Sequence, residues 1–578
     1  MLFSHLHRFL TASVKETSTH SKKCTSPSIL LWLTLSLGFA LFYGILGLQK
    51  AFRSEYVAQD DAREYVFWMQ QFVDPELLPN DLIANYFKSI TPFGFAAVYK
   101  LMASLGINPL LLSKILPIIL GLIVTIYCFW LCLEIFPIPT AGFISTLLLN
   151  QSLWFKTDLV SATPKSFVYP LLLAFLYYLL RESWLIICLI IILEGLFYPP
   201  LLLICLGILL IRLRSNYFLL AALLGLGFLV MLPYAIASSE FGPVVTASQA
   251  KMMPEFWREG RHPFFDNNPG KFWLIGQHSG ILPPLMPPLI WIGLLLPVVL
   301  RYSSRFPLVN LTKSKITILP QVVIVSLTLF FAAHTFLLKL FFPTRYTIHT
   351  LRIVMAIAAG ITLTIMLDKF FLAEQQKRRL WRLALTATLA VALFLYPNFS
   401  GRFPTTDYRQ SGESALYQFL QQQPKDSLIA TLSDEADNIP TFAQRSILVG
   451  REYALPFHLG YYSQIRQRTT DLIRAQYSQE LTAAKELISK YGVNFWLLES
   501  TAFKPEYLTE KTWLKSFQPA FTEALSSLKR ENTPALARLA KQCSVLETER
   551  FTLLKADCIR TYAQSTNSRR SSLRDATL

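Results

Sequence analysis

For about its first 400 residues the chain alternates long apolar runs with short polar segments, and after Pro397 the pattern changes. Ile29–Leu48 carries no charge over about 20 residues, enough to cross a bilayer core of ~30 Å as a helix. Comparable runs cover about Leu110–Leu133, Thr140–Trp154, Phe167–Leu180, Trp184–Phe197, Pro200–Ile211, Tyr217–Ala237, Leu282–Leu300, Ile316–Leu340, Thr347–Leu367 and Leu383–Tyr396. The pattern predicts a polytopic α-helical membrane protein with about 11 transmembrane helices. Two spans are short and meet at Tyr198-Pro199-Pro200, which predicts tilted or partly re-entrant segments. In the first loop, Ala62–Phe72 and the stretch SITPFGFAAVYKLMASLG have the amphipathic pattern of interfacial helices.

Beyond Pro397, SLIATL, RSILVG and VNFWLLES read as short buried strands. ESALYQFLQQQ, TAAKELISKYG and ARLAKQ read as helices, and SVLETERFTLLKA as a terminal hairpin. Strands alternating with helices predict a C-terminal α/β domain. The expected divisions are a tail at 1–28, a transmembrane domain at 29–397 with external loops 49–109 and 238–281, the α/β domain at 398–565, and a disordered tail at 566–578.

Composition sharpens this picture. Only 16% of residues are charged and mean hydropathy is +0.39, whereas a soluble protein averages about 25% charged. The net charge of +17 raises the question of nucleic acid. Its distribution answers it, because Arg181, Arg212, Arg214 and the segments RYSSRFPLVNLTKSK and DKFFLAEQQKRRLWR lie in short links between apolar runs. The positive-inside rule then places those links and the N-terminus in the cytoplasm, and residues after Pro397 outside a plasma membrane. No small-residue cleavage site closely follows the first apolar run, so it reads as a retained signal anchor.

Of seven cysteines, Cys128, Cys132, Cys188 and Cys205 fall in apolar runs as small fillers, and Cys24 falls in the tail. Cys543 and Cys558 bracket the predicted hairpin. Folding the hairpin brings its ends together on the oxidising side, which predicts a disulfide.

The candidate chemistry begins with Asp60 and Asp61, about ten residues past the first span. Carboxylates at the outer membrane surface suit general-base or metal-ligand work, and equally suit capping of the following helix. The loop FKTDLVSATPKS offers Asp158, a candidate metal ligand or cavity residue or else a plain surface carboxylate, and Lys165, a candidate to meet a donor phosphate or to anchor at the interface. In FFPTRYTIHTLRI, Arg345, His349 and Arg352 recur at about one and two helical turns, on one face. An arginine inside a span faces a polar partner, here a phosphate, or snorkels to the interface. Glu194, Tyr198 and His334 are candidates to line the same cavity or to bond between helices. Arg258 and Arg261, in KMMPEFWREGRHPFFDNN, are candidates to cover a lipid phosphate or to be solvated.

The stretch QDDAREYVFWMQQFVDPELLPND, with the span order and the terminal domain, resembles the GT-C superfamily of integral membrane glycosyltransferases. That superfamily includes protein O-mannosyltransferases, aminoarabinose transferases and oligosaccharyltransferase catalytic subunits. The resemblance implies a polyprenyl-phosphate-linked sugar donor, an acceptor that is a lipid, glycan or protein, and transfer on the outer side with inversion. Asp60 matches the family's catalytic aspartate, with Asp61 as its acidic neighbour. Some members hold a divalent metal, Mg or Mn. Here that role would fall to Asp60 and Asp158, but the family's Asp-x-Asp is reduced to one aspartate. The tryptophan-tryptophan-aspartate signature of oligosaccharyltransferases is absent, so N-glycosylation of peptides is not implied. A polysaccharide polymerase or ligase, a transporter and an envelope-assembly protein remain alternative readings. A transporter usually carries internal repeats, and none is evident.

Overall fold

Uninterrupted apolar runs give long helices, and prolines mark where those helices start or break. The computed structural model describes residues 2–13, 27–236, 240–258, 260–372 and 379–562. Cys24, Lys377 and the tail predicted at 566–578 lie outside the described residues.

Among the described residues, five helices are long and apolar enough to cross a membrane: Pro27–Ala51, Pro109–Ile135, Tyr217–Tyr234, Ser314–Thr335 and Thr344–Phe371. Most of the other predicted spans are shorter apolar helices, at Pro139–Trp154, Val168–Leu180, Trp184–Phe197, Pro199–Arg212 and, within the helix Arg379–Phe399, Thr386–Phe399. Leu282–Leu300, predicted as one span, is instead a 3-10 segment, Pro288–Leu295, followed by a short α-helix, Leu296–Arg301. Pro283, Pro284, Pro287, Pro288 and Pro297 explain the difference, since each lacks the N–H that an α-helix needs.

The Thr344–Leu372 helix is the axis of the helical layer, packed against Pro139–Trp154. Every residue of Pro139–Trp154 is buried. A Cβ at Gly360 would lie 2.8 Å from Ala141 O and from Ser145 N, so glycine is what lets the two backbones touch. Outward-facing residues such as Leu185 and Phe218, 88% and 93% exposed, form an apolar perimeter suited to lipid.

Polar groups mark the two ends of this layer. At one end His7 meets Asp368 at 2.7 Å and Lys315 meets Glu134 at 2.6 Å. The opposite end carries the polar domain. There strands β1 (Val57–Gln59) and β2 (Tyr408–Gln410) pair antiparallel, tying the first loop to the chain that leaves the last helix. The domain's sheet uses β3 (Leu428–Ala430), β4 (Ser446–Ile447), β5 (Phe495–Glu499), β6 (Ser544–Glu547) and β7 (Phe551–Lys555), in the order β4-β3-β5-β7-β6. β3 runs parallel to β4 and β5, and the β6–β7 hairpin adds antiparallel to β5. The helices Leu459–Tyr477 and Leu481–Tyr491 pack beside it over a core that includes Leu472, Leu487 and Trp496. Cys543 and Cys558 are disulfide-bonded, with Cα atoms 5.5 Å apart.

The stretch Ala62–Phe72 does not lie on an interface as its pattern predicts. It is an α-helix, Asp60–Val66, continued by a 3-10 turn, Phe67–Phe72, and Phe67, Trp68 and Met69 are buried. The Phe67 ring sits 5.2 Å from that of Tyr453, so the apolar face meets the polar domain rather than lipid.

Candidate active site between the helices and the polar domain

The helix at Asp60–Val66 is capped by neither aspartate. Gln59 is its N-cap, its side-chain oxygen accepting from Ala62 N at 3.1 Å. Successive helical residues point about 100° apart, so the two carboxylates diverge. Asp60 turns toward the domain junction, paired with Arg63 one turn on and with Arg409 of β2 at 3.2 Å. Burial raises its carboxyl, but Arg409 and Arg63 outweigh that and hold it below the ordinary range. Asp61 turns instead into a cavity of about 290 Å³ and accepts a hydrogen bond from Lys165 Nζ at 2.8 Å.

Lys165 is placed by a capping box, with Thr163 and Ser166 bonding reciprocally around the turn Pro164–Phe167. Arg345 enters the cavity from the first turn of the Thr344–Leu372 helix, with Phe341 under its guanidinium at 5.8 Å. It has no carboxylate partner among the described residues, and its Nε bonds to nothing there. Tyr198 lines the wall from the junction of two short helices, and Arg261 enters from the loop after Tyr217–Ile236. Rings close the rest. His278 stacks on Phe342 at 4.3 Å, and His262 lies 4.8 Å from Phe457 of the polar domain. Burial and then Arg345 push His278 down to about 3, and burial and then Arg261 push His262 well below its usual value. Both are neutral near pH 7.

The other predicted residues lie elsewhere. His349 and Arg352 follow Arg345 down the same helical face but sit beneath the cavity. Arg352 is fully buried, donating to Asp158 at 2.8 Å and to the Tyr169 hydroxyl, which also meets His349 Nδ1 at 3.0 Å. Burial raises the Asp158 carboxyl, yet Arg352, His349 and Lys165 bring it well below the ordinary range. Glu194 is buried one turn from Tyr198, accepting from the Cys205 thiol at 2.9 Å. His334 meets Ser279 O at 3.0 Å among aromatic rings, and Arg258 is exposed on a separate groove with Trp257. Asp60 and Asp158 each already face a guanidinium. Among the described residues no group of three or more His, Cys, Asp or Glu side chains is placed to hold a metal ion.

Glu64, which no motif in the sequence singles out, stands three residues from Asp61 and so shares its helical face. Arg261 bridges Glu64, at 2.5 Å, and Glu452 of the polar domain. Burial raises the Glu64 carboxyl and Glu452 adds to the rise, against the pull of Arg261. Behind them Arg63 donates to Asn438 at 2.6 Å, and Asp437 accepts from Glu452 N at 3.0 Å. Burial, then Glu452, pushes Asp437 up to about 7 from the ordinary 3.8. A raised carboxyl binds its proton more tightly in the folded state. Its contribution to stability is thus fully present below about 3.8 and is lost as pH rises toward about 7. Unfolding midpoints measured across that window should fall as pH rises, and Asp437→Asn should flatten the slope. An unchanged slope in the variant removes Asp437 as its source.

No protein-family model and no curated protein sequence matches the chain. Solved structures do. The oligosaccharyltransferase of Archaeoglobus fulgidus, tethered to an acceptor peptide, superposes with a TM-score of 0.52 at 13% identity, over 86% of this chain and 72% of that one. The same archaeal protein with an inhibitory peptide and a dolichol-phosphate gives 0.52 at 12% identity, over 85% and 72%. Its apo form gives 0.50 at 12% identity, over 85% and 72%. The described helices and polar domain share the fold of the archaeal oligosaccharyltransferase AglB.

Proposed function

We propose that the chain is a membrane glycosyltransferase that moves a sugar from a polyprenyl-phosphate carrier to an acceptor on the extracytoplasmic side of the plasma membrane. The observation that carries this reading is Arg345, a guanidinium without a carboxylate partner among the described residues, set in a cavity wall at the end of an apolar helix. A phosphate at the membrane surface suits that geometry and charge. The dolichol-phosphate held by one archaeal neighbour supports a lipid-linked donor, and the peptides held by two of them favour a protein among the possible acceptors. The basic links between apolar runs support placing the cavity on the outer side.

We assign the base to Asp61 rather than Asp60, because Asp61 lines the cavity while Asp60 is held by Arg63 and Arg409. The acceptor oxygen attacks the anomeric carbon as its proton passes to Asp61. The bond from that carbon to the phosphate oxygen breaks, and polyprenyl phosphate leaves with the electron pair, its charge met by Arg345 and Lys165. One displacement inverts the anomeric carbon. The purified protein, given polyprenyl phosphates bearing hexoses or pentoses and a membrane extract as acceptor, should release free polyprenyl phosphate. No release from any donor of either class overturns the reading.

A further inference from the structure

A second cleft, of about 630 Å³, opens at the end of the helical layer away from the cavity. The helices Val168–Leu180 and Pro199–Arg212 begin at the cavity and end at this cleft, so the two sites are separated by the length of the layer. Arg212 and Arg214 line it, and neither has a carboxylate within ion-pair distance among the described residues. Glu182 is the one acidic lining residue, which leaves the lining net positive. Gln321 projects from the Ile318–Thr335 helix, and its buried Oε1 has no partner among the described residues, leaving an acceptor unused. Trp184 stands at the rim, the usual place for an indole where apolar and polar phases meet. Leu185, next to Trp184 in the chain, and Tyr217 and Phe218, which follow the lining residue Asn216, are 88%, 74% and 93% exposed and give acyl chains a surface to follow.

We infer that this cleft binds the head group of an anionic phospholipid, with the phosphodiester at Arg212 and Arg214 and a head-group hydroxyl donating to Gln321. Basic pockets between membrane helices recognise phospholipid head groups in this way. The unused Gln321 acceptor favours a hydroxylated head group such as glycerol over a quaternary ammonium, which has no hydrogen to donate. The inference does not depend on the sugar-transfer reading, since no residue is shared between the two sites.

Native mass spectrometry of the full chain in detergent, titrated with phosphatidylglycerol, tests it. The unsubstituted chain should retain one phosphatidylglycerol at concentrations where phosphatidylcholine is not retained. The double variant R212Q/R214Q should need on the order of tenfold or more lipid for the same occupancy. R305Q, a basic residue of another link at the same end, should bind as the unsubstituted chain does. Where the double variant does not fold, R214Q alone carries the test, because Arg214 is exposed. Equal retention by R214Q and the unsubstituted chain, equal retention of phosphatidylcholine, or an equal loss in R305Q overturns the inference. Displacement of the lipid by millimolar inorganic phosphate, with retention of phosphate alone, assigns the cleft to a free anion and overturns it as well.

Discussion

Asp61→Asn is expected to abolish sugar transfer while leaving the chain folded. Asparagine keeps the size of the side chain and an oxygen for the Lys165 ammonium, which lies 2.8 Å from the carboxylate. It cannot take the acceptor's proton, and a positioned general base contributes about 10²–10⁴-fold to a rate. The fold should tolerate the change. The Asp61 and Lys165 side chains are 32% and 15% exposed, and the asparagine oxygen still accepts from the ammonium, so the loss of stability should be small. Asp60→Asn supplies the contrast. It weakens the junction of β1 and β2 that Arg63 and Arg409 secure, so its mark should be a lower unfolding midpoint with transfer largely kept. Release of polyprenyl phosphate, measured beside unfolding for both variants, separates the roles. Full transfer by Asp61→Asn, or complete loss confined to Asp60→Asn, returns the base role to Asp60.

The proposed reassignment from Asp60 to Asp61 rests on geometry that local sequence does not carry. The acidic pair, its place after the first span and the face shared by Arg345, His349 and Arg352 were all legible, because helical period and apolar run length depend on local sequence. Which aspartate faces the cavity was not legible. It depends on Gln59 taking the N-cap and on Arg409 arriving from about 350 residues away, and no local pattern encodes either. The same holds for Ala62–Phe72, whose apolar face is plain in the sequence but whose partner is Tyr453 rather than lipid. The β6–β7 hairpin and its cysteines were legible for the opposite reason, since that pairing is made within 15 residues. The proline-rich segment before Leu296 shows a further boundary. Mean hydropathy registers an apolar span there, while the prolines that forbid a continuous helix count only through the hydrogen bonds they cannot donate.

Arg345 and Arg352 stand two turns apart on one helix and should fail in different ways. Arg345→Leu removes a guanidinium that makes no ion pair among the described residues, with Asp158 and Asp61 acting on it only from a distance, so the folded chain loses no direct contact. The donor loses a charge-assisted contact to its phosphate, worth roughly 1.5–3 kcal/mol, which raises the donor concentration needed for half-maximal rate by about 10- to 150-fold. Saturating donor should recover only part of the rate, because Arg345 also meets the charge that develops on the departing phosphate, while the Asp61 carboxylate is untouched. Arg352→Leu does something else. Arg352 is fully buried against Asp158, and its removal strands a carboxylate in the helical layer beside the Tyr169 hydroxyl. Breaking a buried pair by deleting one partner destabilises by about 3–5 kcal/mol. Arg352→Leu should therefore lower the unfolding midpoint and the yield of folded chain, and Asp158→Asn in the same chain should restore part of both by removing the stranded charge. Donor titrations on the folded fraction complete the comparison. A large rise in the donor requirement for Arg352→Leu with unchanged stability would move the phosphate site from the cavity wall to beneath it, whereas loss confined to Arg345→Leu keeps it in the wall with Asp61 and Lys165.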